Sequence, residues 1–249
     1  MYLRPVHAET SHVVLQQLIR ENPLGILTTA IPSPGHPLIQ VSHVPWVLDV
    51  PLPSFALGEG ESTAHLGVLR GHLARANPQA KVLIEAAKRS ANGEAIESEV
   101  LVLFHGPAHS YVTPKFYTET KPETGKVVPT WNYAAAQAYG KLIVHHDSSS
   151  QEASEFLAAQ ISDLSEQQEK AMGFENPWKV SDAPEKYVSL LKKAIIGIEI
   201  RLERLEGKFK MSQEMPAGDV EGVVEGFEKL QTDSGKAMAE LIRSRQNRV

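Results

Sequence analysis

The stretch IIGIEIRLERLEGKFKMS, residues 195–212, begins with a strict alternation of apolar and polar positions. Apolar side chains recur at every second position from Ile196 to Leu202, and the residues between them are glycine or charged. Successive side chains of a β-strand point to opposite faces, so a period of two predicts a strand with one buried face. The chain is therefore expected to build a β-sheet against a core.

The order of the other segments indicates the fold class. Strands are predicted at 24–30, 38–49, 65–73, 99–114 and 132–144, and helices at 9–22, 76–90, 148–172, 182–194 and in two segments within 216–247 separated by Asp-Ser-Gly. Pro45 interrupts the second strand, and a proline without an N–H belongs at an edge or a bulge. Loops are expected at 50–64 and 91–98, and KPETGK is expected to be flexible. Because the strands connect mostly through loops and not through regular helical crossovers, the pattern favours an α+β, barrel-like sheet over a doubly wound fold.

Composition narrows the class of protein. With 249 residues, 42% hydrophobic and 22% charged, the chain is that of a globular protein with a sizeable core. The absence of cysteine excludes disulfides, thiol nucleophiles and cysteine-ligated metals. The net charge of −5 gives no general attraction to nucleic acid, so DNA binding would need a local basic patch. Neither a signal peptide nor a membrane-spanning run is visible, and a cytoplasmic location is expected.

Common catalytic motifs are missing. The chain has no GxGxxG, no GxxxxGK[ST], no GxSxG and no HExxH. His105 and His109 are separated by Gly-Pro and cannot share a helical face, while adjacent His145 and His146 in a strand would point apart. No metal site is therefore expected, and no catalytic residue is assigned.

GHLARANPQAK, residues 71–81, joins a strand to a helix. Asn77 is the expected N-cap and Pro78 the first helical residue. His72 and Arg75 precede the cap, and Lys81 follows it by about one turn. A helix N-terminus with cations nearby can hold a phosphate, but the same residues also suit a plain strand-to-helix junction.

PTWNYAAAQAYG, residues 129–140, places aromatic residues beside very small ones. In a strand, Ala134, Ala136, Ala138 and Gly140 would share one face, and Trp131 and Asn132 would offer a stacking surface and an amide. A stripe of small side chains lets either a planar ligand or another backbone come close. Both interpretations remain open at this point.

Several separate stretches together resemble the PaiB family of the FMN-binding split-barrel superfamily. They are MYLRPVH, ENPLGILTT, SHVPWVLD, GHLARANPQAK, VLVLFHGPAHSYVTPKFY, VVPTWNYAAAQAYGKL and GKFKMSQE, in this order over roughly residues 1–215. The resemblance implies a six-stranded antiparallel Greek-key split barrel, a homodimer, and FMN held at the dimer interface. It places the barrel domain at 1–215 with peripheral helices and leaves a helical C-terminal extension at 216–249.

The resemblance also assigns roles to residues of this chain. It implies that the FMN phosphate and ribityl chain are held by Ser42, His43, His72, Arg75, Asn77 and Lys81, with hydroxyls from Thr28 and Thr29. It implies that Trp131, Asn132 and Tyr133 contact the isoalloxazine ring and that Lys208, Lys210 and Gln213 close the groove.

Three functions are compatible with this resemblance. The family is usually described as negative transcriptional regulators, and the alternatives are a flavin-dependent oxidoreductase using NAD(P)H and a haem-binding or haem-degrading protein. The chain departs from the compact bacterial pattern by extra segments at 50–64, 90–98 and 121–125 and by its tail after 216. Loops of that kind would cover the flavin groove.

Overall fold

The computed structural model describes residues 1–50, 66–90 and 95–246. Residues 51–64 of the expected loop at 50–64 and residues 91–94 of that at 91–98 lie outside these ranges. The strands are β1 (Ala8–Glu9), β2 (Leu24–Ala30), β3 (Ile39–Pro45), β4 (Val47–Asp49), β5 (Val68–Ala74), β6 (Glu99–Val112), β7 (Thr130–His145) and β8 (Ile195–Lys210). The helices are α1 (His12–Glu21), α2 (Pro78–Arg89), α3 (Thr120–Thr124), α4 (Gln151–Met172), α5 (Glu185–Lys193), α6 (Ala217–Lys229) and α7 (Asp233–Gln246).

The eight strands form one sheet in the order β3-β2-β6-β7-β8-β5-β4, with β1 beside β8. Antiparallel pairing joins β2 to β3 and β6, β5 to β4 and β8, and β1 to β8. The α+β class and a largely antiparallel sheet are therefore confirmed. In the described residues the ladders do not close the sheet into a barrel.

β3 and β4 are separated by Trp46 alone, yet they stand at opposite ends of the strand order. Pro45 cannot donate a ladder hydrogen bond, so the pairing with β2 stops there and the next residues pair with β5 instead. The predicted interruption at Pro45 is confirmed.

The chain divides into two compact units. The larger unit comprises residues 19–103 and 138–205. Its core contains Trp46, which is 1% exposed, and Gly71 makes room for that ring because a Cβ at Gly71 would lie 2.9 Å from it. The alternating residues Ile196, Ile198 and Ile200 are fully buried, as their spacing predicts.

The smaller unit comprises residues 1–18, 104–137 and 206–249. Its helices α6 and α7 pack on each other, and the ring of Phe227 meets that of Phe116 edge-on at 5.3 Å. Arg245 in α7 forms an ion pair with Glu9. The domain boundary at 215/216 stays a prediction, although α6 and α7 belong to the same unit as the N-terminus.

Two local predictions are wrong. KPETG is not a flexible loop, because Thr120–Thr124 form α3, which ends where Gly125 takes a left-handed φ of 66°. Asp-Ser-Gly does not separate the last two helices, because it forms the first turn of α7 and the break lies before it.

The stripe of small residues on β7 is buried. Ala136 and Ala138 are fully buried, and a Cβ at Gly140 would lie 2.0 Å from the backbone oxygen of Arg201 on β8. In the smaller unit, a Cβ at Gly106 would similarly meet Ala134 at 2.9 Å. Close packing of neighbouring strands therefore accounts for the small side chains.

Candidate functional site

The N-terminus of α2 is tied to β3 through a side-chain network. The side-chain oxygen Oδ1 of Asn77 accepts from the backbone N–H of Gln79 at 2.8 Å, which is an N-cap bond. Its amide donates to the Ser42 hydroxyl at 3.0 Å. Gln79 is 1% exposed, and its amide donates to Thr29 Oγ1 at 3.0 Å and to the Gln40 carbonyl at 3.1 Å. The network brings Ser42, Asn77 and Thr29 together.

The predicted residues of β2 and β3 lie on two different faces. Thr29 pairs across the ladder with Gln40, on the face that carries Gln79. Thr28 pairs with Val41, and the next outward residue of β3 is His43, so these side chains occupy the opposite face. Thr28 is half-buried and His43 is exposed, while Thr29 is 1% exposed.

Three groups at this end of α2 suit an anion. Ser42 accepts from Asn77, and in the described ranges its own O–H has no partner and can donate. The helix N-terminus carries a positive partial charge. Lys81 is exposed and lies on the first turn, with its backbone N–H bonded to Asn77 O. We call Ser42, Asn77 and Lys81 the α2 patch.

His72 lies away from the α2 patch, on the side of β5 that faces α4. Its Nδ1 is 2.8 Å from Oε1 of Gln160, a residue with no exposed surface. Two positions earlier, Arg70 contacts Asp49 and Asp163 of α4, and the hydrogen bond to Asp49 is the main reason that the pKa of Arg70 is raised despite partial burial. These contacts fix α4 to β5.

Arg75 points towards the ends of β7 and β8. Its Nη2 donates to the carbonyls of His146 at 2.8 Å and Ile195 at 3.2 Å, and its Nε donates to the carbonyl of Lys193. It lines a cavity of about 230 Å³ together with His146, Lys192 and Lys193. No sequence signal connected these residues, since they are far apart along the chain.

In the smaller unit, Trp131 lies in an exposed aromatic patch. Its ring stacks on His109 at 6.1 Å with an interplanar angle of 26°, and Tyr111 meets it edge-on at 6.3 Å. Trp131 and Tyr111 are 48% and 49% exposed. We call His109, Tyr111 and Trp131 the aromatic patch, which can stack on a planar ligand or pack against a protein surface.

Asn132 and Gln213 are used within the smaller unit. Asn132 is fully buried and its amide donates to the hydroxyl of Ser212 at 2.9 Å. Ser212 adopts a φ of 61°. The Gln213 side chain accepts from the N–H of Met211 and donates to the carbonyl of Phe209, so it closes the turn after β8.

The lysines at the end of β8 also have partners. Lys210 donates to Thr130 Oγ1 at 2.6 Å and lies 3.5 Å from Glu214. Burial opposes ionisation of Glu214, but His7 at 2.9 Å and Lys210 outweigh it and hold the pKa of that carboxyl below its ordinary value. Lys208 donates to the Tyr2 carbonyl and stands 5.4 Å from the ring centroid of Tyr133.

The predicted residues therefore separate into groups. Those at 28–81 lie in the larger unit and those at 131–213 in the smaller one. Sequence reasoning missed Gln79 and Gln160, which are buried polar residues inside helices, and the lysines at the end of α5.

Across the described ranges no His, Asp and Glu side chains are grouped so as to hold a metal ion. None of the helices there is both long and apolar enough to cross a bilayer.

Comparison with known proteins places the chain in a family. An uncharacterized protein of Emericella nidulans is 61% identical over 98% of this chain and 97% of its own length. The protein of Bacillus subtilis named protease synthase and sporulation protein PAI 2 is 28% identical over 98% of each chain. Among solved structures, the conserved hypothetical protein Rv2991 from Mycobacterium tuberculosis matches with a TM-score of 0.49 and 12% identity, over 87% of this chain and 94% of that one. Residues 1–204 match the family described as "Putative FMN-binding domain". The chain therefore belongs to this family, of the PaiB type, and FMN is the cofactor that its membership supports.

Proposed function

We propose that this protein is an FMN-binding flavoprotein whose α2 patch holds the phosphate of the cofactor. The observation that carries the proposal is the bond between Asn77 and Ser42, which sets a serine hydroxyl beside a capped helix N-terminus. Backbone N–H groups and the helix dipole favour an anion at such a place. Lys81 on the first turn supplies a full positive charge. When bound, FMN supplies the electron-transfer chemistry, and the protein supplies binding and orientation.

The isoalloxazine ring is assigned to the residues around β7. The aromatic patch offers an exposed stacking face at Trp131, and Tyr133 with Lys208 adds an aromatic ring close to a cation. His43 and Thr28 lie on the outward face of β2 and β3, opposite to Ser42, so this proposal gives them no contact with the cofactor held at the α2 patch. In this proposal the ring contacts come from the second subunit of a homodimer.

The finer fold proposal is a six-stranded Greek-key split barrel. β3 and β4 form one strand broken at Pro45 and Trp46, since only Trp46 separates them. Counted that way, β2, the β3–β4 strand, β5, β6, β7 and β8 are six strands, and β1 is a two-residue addition at β8. The broken strand pairs with β2 on one side and with β5 on the other, which is what a curled sheet requires.

An apolar outward face on β2 and β3 supports the homodimer. Leu24, Ile39 and Val41 are 59%, 64% and 54% exposed. β3 is also an edge strand, since it pairs only with β2 in the described sheet. Exposed apolar residues on an unprotected edge favour association, and a second copy of the chain would cover them.

A regulatory role is the function that the family resemblance favours, and the name of the Bacillus subtilis relative refers to protease synthesis and sporulation. The net charge of −5 disfavours direct contact with DNA, so regulation would act through the flavin state and a partner. An oxidoreductase using NAD(P)H is the competing function. Anaerobic bleaching of bound flavin by NADPH supports the oxidoreductase, and its failure with both reduced nicotinamides removes it.

The experiment that tests cofactor binding combines spectroscopy with two matched variants. The purified full chain is expected to show flavin absorption bands, with FMN identified by mass spectrometry after denaturation; a Soret band would indicate haem instead. Lys81→Gln is expected to weaken FMN binding about tenfold or more, because one charge-assisted contact to the phosphate is lost. Lys88→Gln on the same helix is the control. Riboflavin, which lacks the phosphate, should bind both variants equally, and equal FMN and riboflavin affinities in the unaltered protein would contradict the proposal.

A further inference from the structure

The cavity beside Arg75 gathers positive charge in a concave site. It has a volume of about 230 Å³, and its lining includes Arg75, Lys192 and Lys193 with His146 and Ser154. The acidic group in its lining is Asp147, whose carboxylate accepts from the N–H and hydroxyl of Ser149 at 2.9 and 2.7 Å. Three permanent cations therefore face one carboxylate that is already hydrogen-bonded.

Arg75 is held rigidly, and one edge of its guanidinium remains available. Three backbone carbonyls occupy Nε and Nη2, which fixes the plane of the group. In the described ranges Nη1 has no protein partner, so its two N–H groups can donate to a ligand. A guanidinium fixed in this way is pre-organised for an oxyanion, because little side-chain freedom is lost on binding.

The two lysines come from the last turn of α5. Lys192 Nζ lies 3.3 Å from the hydroxyl of Ser154 and 3.5 Å from its carbonyl, in the first turn of α4. Lys193 is exposed and forms no ion pair with the described residues. Their position on α5 is explained by the helix dipole, but the dipole does not explain why Arg75 and Ser154 line the same cavity.

We propose that this cavity is a second anion site, separate from the α2 patch, and that it binds the phosphoryl group of a small phosphorylated molecule. Like charges gathered in a concave site repel each other, and a bound dianion removes that repulsion. The Ser154 hydroxyl supplies a neutral polar group beside the cations. The volume exceeds that of a phosphate ion, so the site also accommodates part of the molecule that carries it.

Calorimetric titration of the full chain with orthophosphate and with glycerol 3-phosphate tests the proposal. Both probes are expected to bind the unaltered protein, and the tighter of the two shows whether the free ion or an ester is the preferred ligand. The double variant Lys192→Gln/Lys193→Gln is expected to weaken binding at least tenfold. Lys186→Gln removes an exposed lysine from the same helix and should change nothing. Failure of both probes to bind, or unchanged binding in the double variant, overturns the proposal.

The same titrations separate this site from the flavin proposal. Lys192→Gln/Lys193→Gln should leave FMN affinity unchanged, and Lys81→Gln should leave glycerol 3-phosphate affinity unchanged. If the double variant weakens FMN binding tenfold, the cavity is the flavin phosphate site and the claim of a second site is wrong. If Lys81→Gln abolishes glycerol 3-phosphate binding, the probe occupies the α2 patch and the cavity assignment is wrong. If the unaltered protein binds glycerol 3-phosphate but no FMN, only the flavin proposal is contradicted.

Discussion

Asn77 donates a 3.0 Å hydrogen bond to the hydroxyl of Ser42, so the residue that caps α2 also attaches that helix to β3. The two residues lie 35 positions apart in the sequence. One amide side chain thus performs two tasks at once, and they can be separated by substitution.

Asn77→Ala removes both bonds and is expected to lower the free energy of unfolding by about 2 kcal/mol. Asn77→Ser keeps a side-chain oxygen that can cap the helix but loses the hydrogen bond from the amide to Ser42. Its free energy of unfolding should therefore fall by about 1 kcal/mol less than that of Asn77→Ala. Urea unfolding of the three proteins measures the difference. Equal stability of the serine and alanine variants would show that the cap bond contributes nothing.

Gly140→Ala tests the close approach of β7 and β8. The added methyl would stand 2.0 Å from the carbonyl oxygen of Arg201, and backbone atoms of a paired strand cannot move aside as a flexible side chain can. We expect the free energy of unfolding to fall by about 3 kcal/mol or more, seen as a lower melting temperature or as insoluble protein. Lys141→Ala, at the exposed neighbouring position, is the control and should change stability by less than about 0.5 kcal/mol. A soluble Gly140→Ala protein with unchanged melting temperature contradicts the packing geometry.

Glu199 should make stability depend on pH in the acidic range. The adjacent His145 imidazole, 3.6 Å away, and then Arg201 hold the pKa of Glu199 below its ordinary value of 4.5, although burial opposes this. Because the unfolded chain then binds a proton more readily than the folded one, this contribution is complete above the ordinary pKa and is lost as pH falls through the lowered value.

Glu199→Gln removes that titration. The stability difference between the unaltered protein and the variant should therefore shrink as the pH is lowered from 6 to below about 4.5. Thermal unfolding across this range measures it. A difference that stays constant with pH would mean that Glu199 has the same pKa in the folded and unfolded states.

Association through β3 is tested by replacing its outward apolar residues. Ile39→Glu/Val41→Glu is expected to convert a dimer of twice 27.3 kDa into a monomer, because charged side chains would face each other across the interface. Light scattering after size-exclusion chromatography gives the mass. Val13→Glu alters an exposed valine of α1 and serves as the control. A monomeric unaltered protein would contradict the homodimer directly.

Local structure followed closely from local sequence. Leu24–Ala30 is a strand with the predicted bounds, because Asn22-Pro23 ends the preceding helix and a turn-rich segment follows. Asn77 and Pro78 begin α2 as predicted, since the cap bond and the fixed φ of proline act within a few residues. The prediction of a flexible loop at KPETG is wrong because contacts from α6 support a short helix there: Asp219 accepts from the N–H groups of Glu119 and Thr120.

The candidate site was less predictable because its partners are distant in sequence. Arg75 precedes the cap of α2, and this position predicts a contact with the FMN phosphate, but its guanidinium binds carbonyls 71 and 120 residues further along the chain. The same prediction includes His72, but His72 alternates with the buried Gly71 along β5, and its side chain contacts Gln160 of α4. The period of two predicts which side chains share a face of a strand, but it does not predict which other element packs on that face.

Strands β6, β7 and β8 each contribute residues to both compact units, so the units are interleaved along the chain. No single cut in the gene yields either unit as one continuous polypeptide, and a fragment ending after residue 103 or 137 would leave strands without their neighbours. Truncation is therefore unsuited to assigning activity within this protein, whereas point substitutions keep every strand in place.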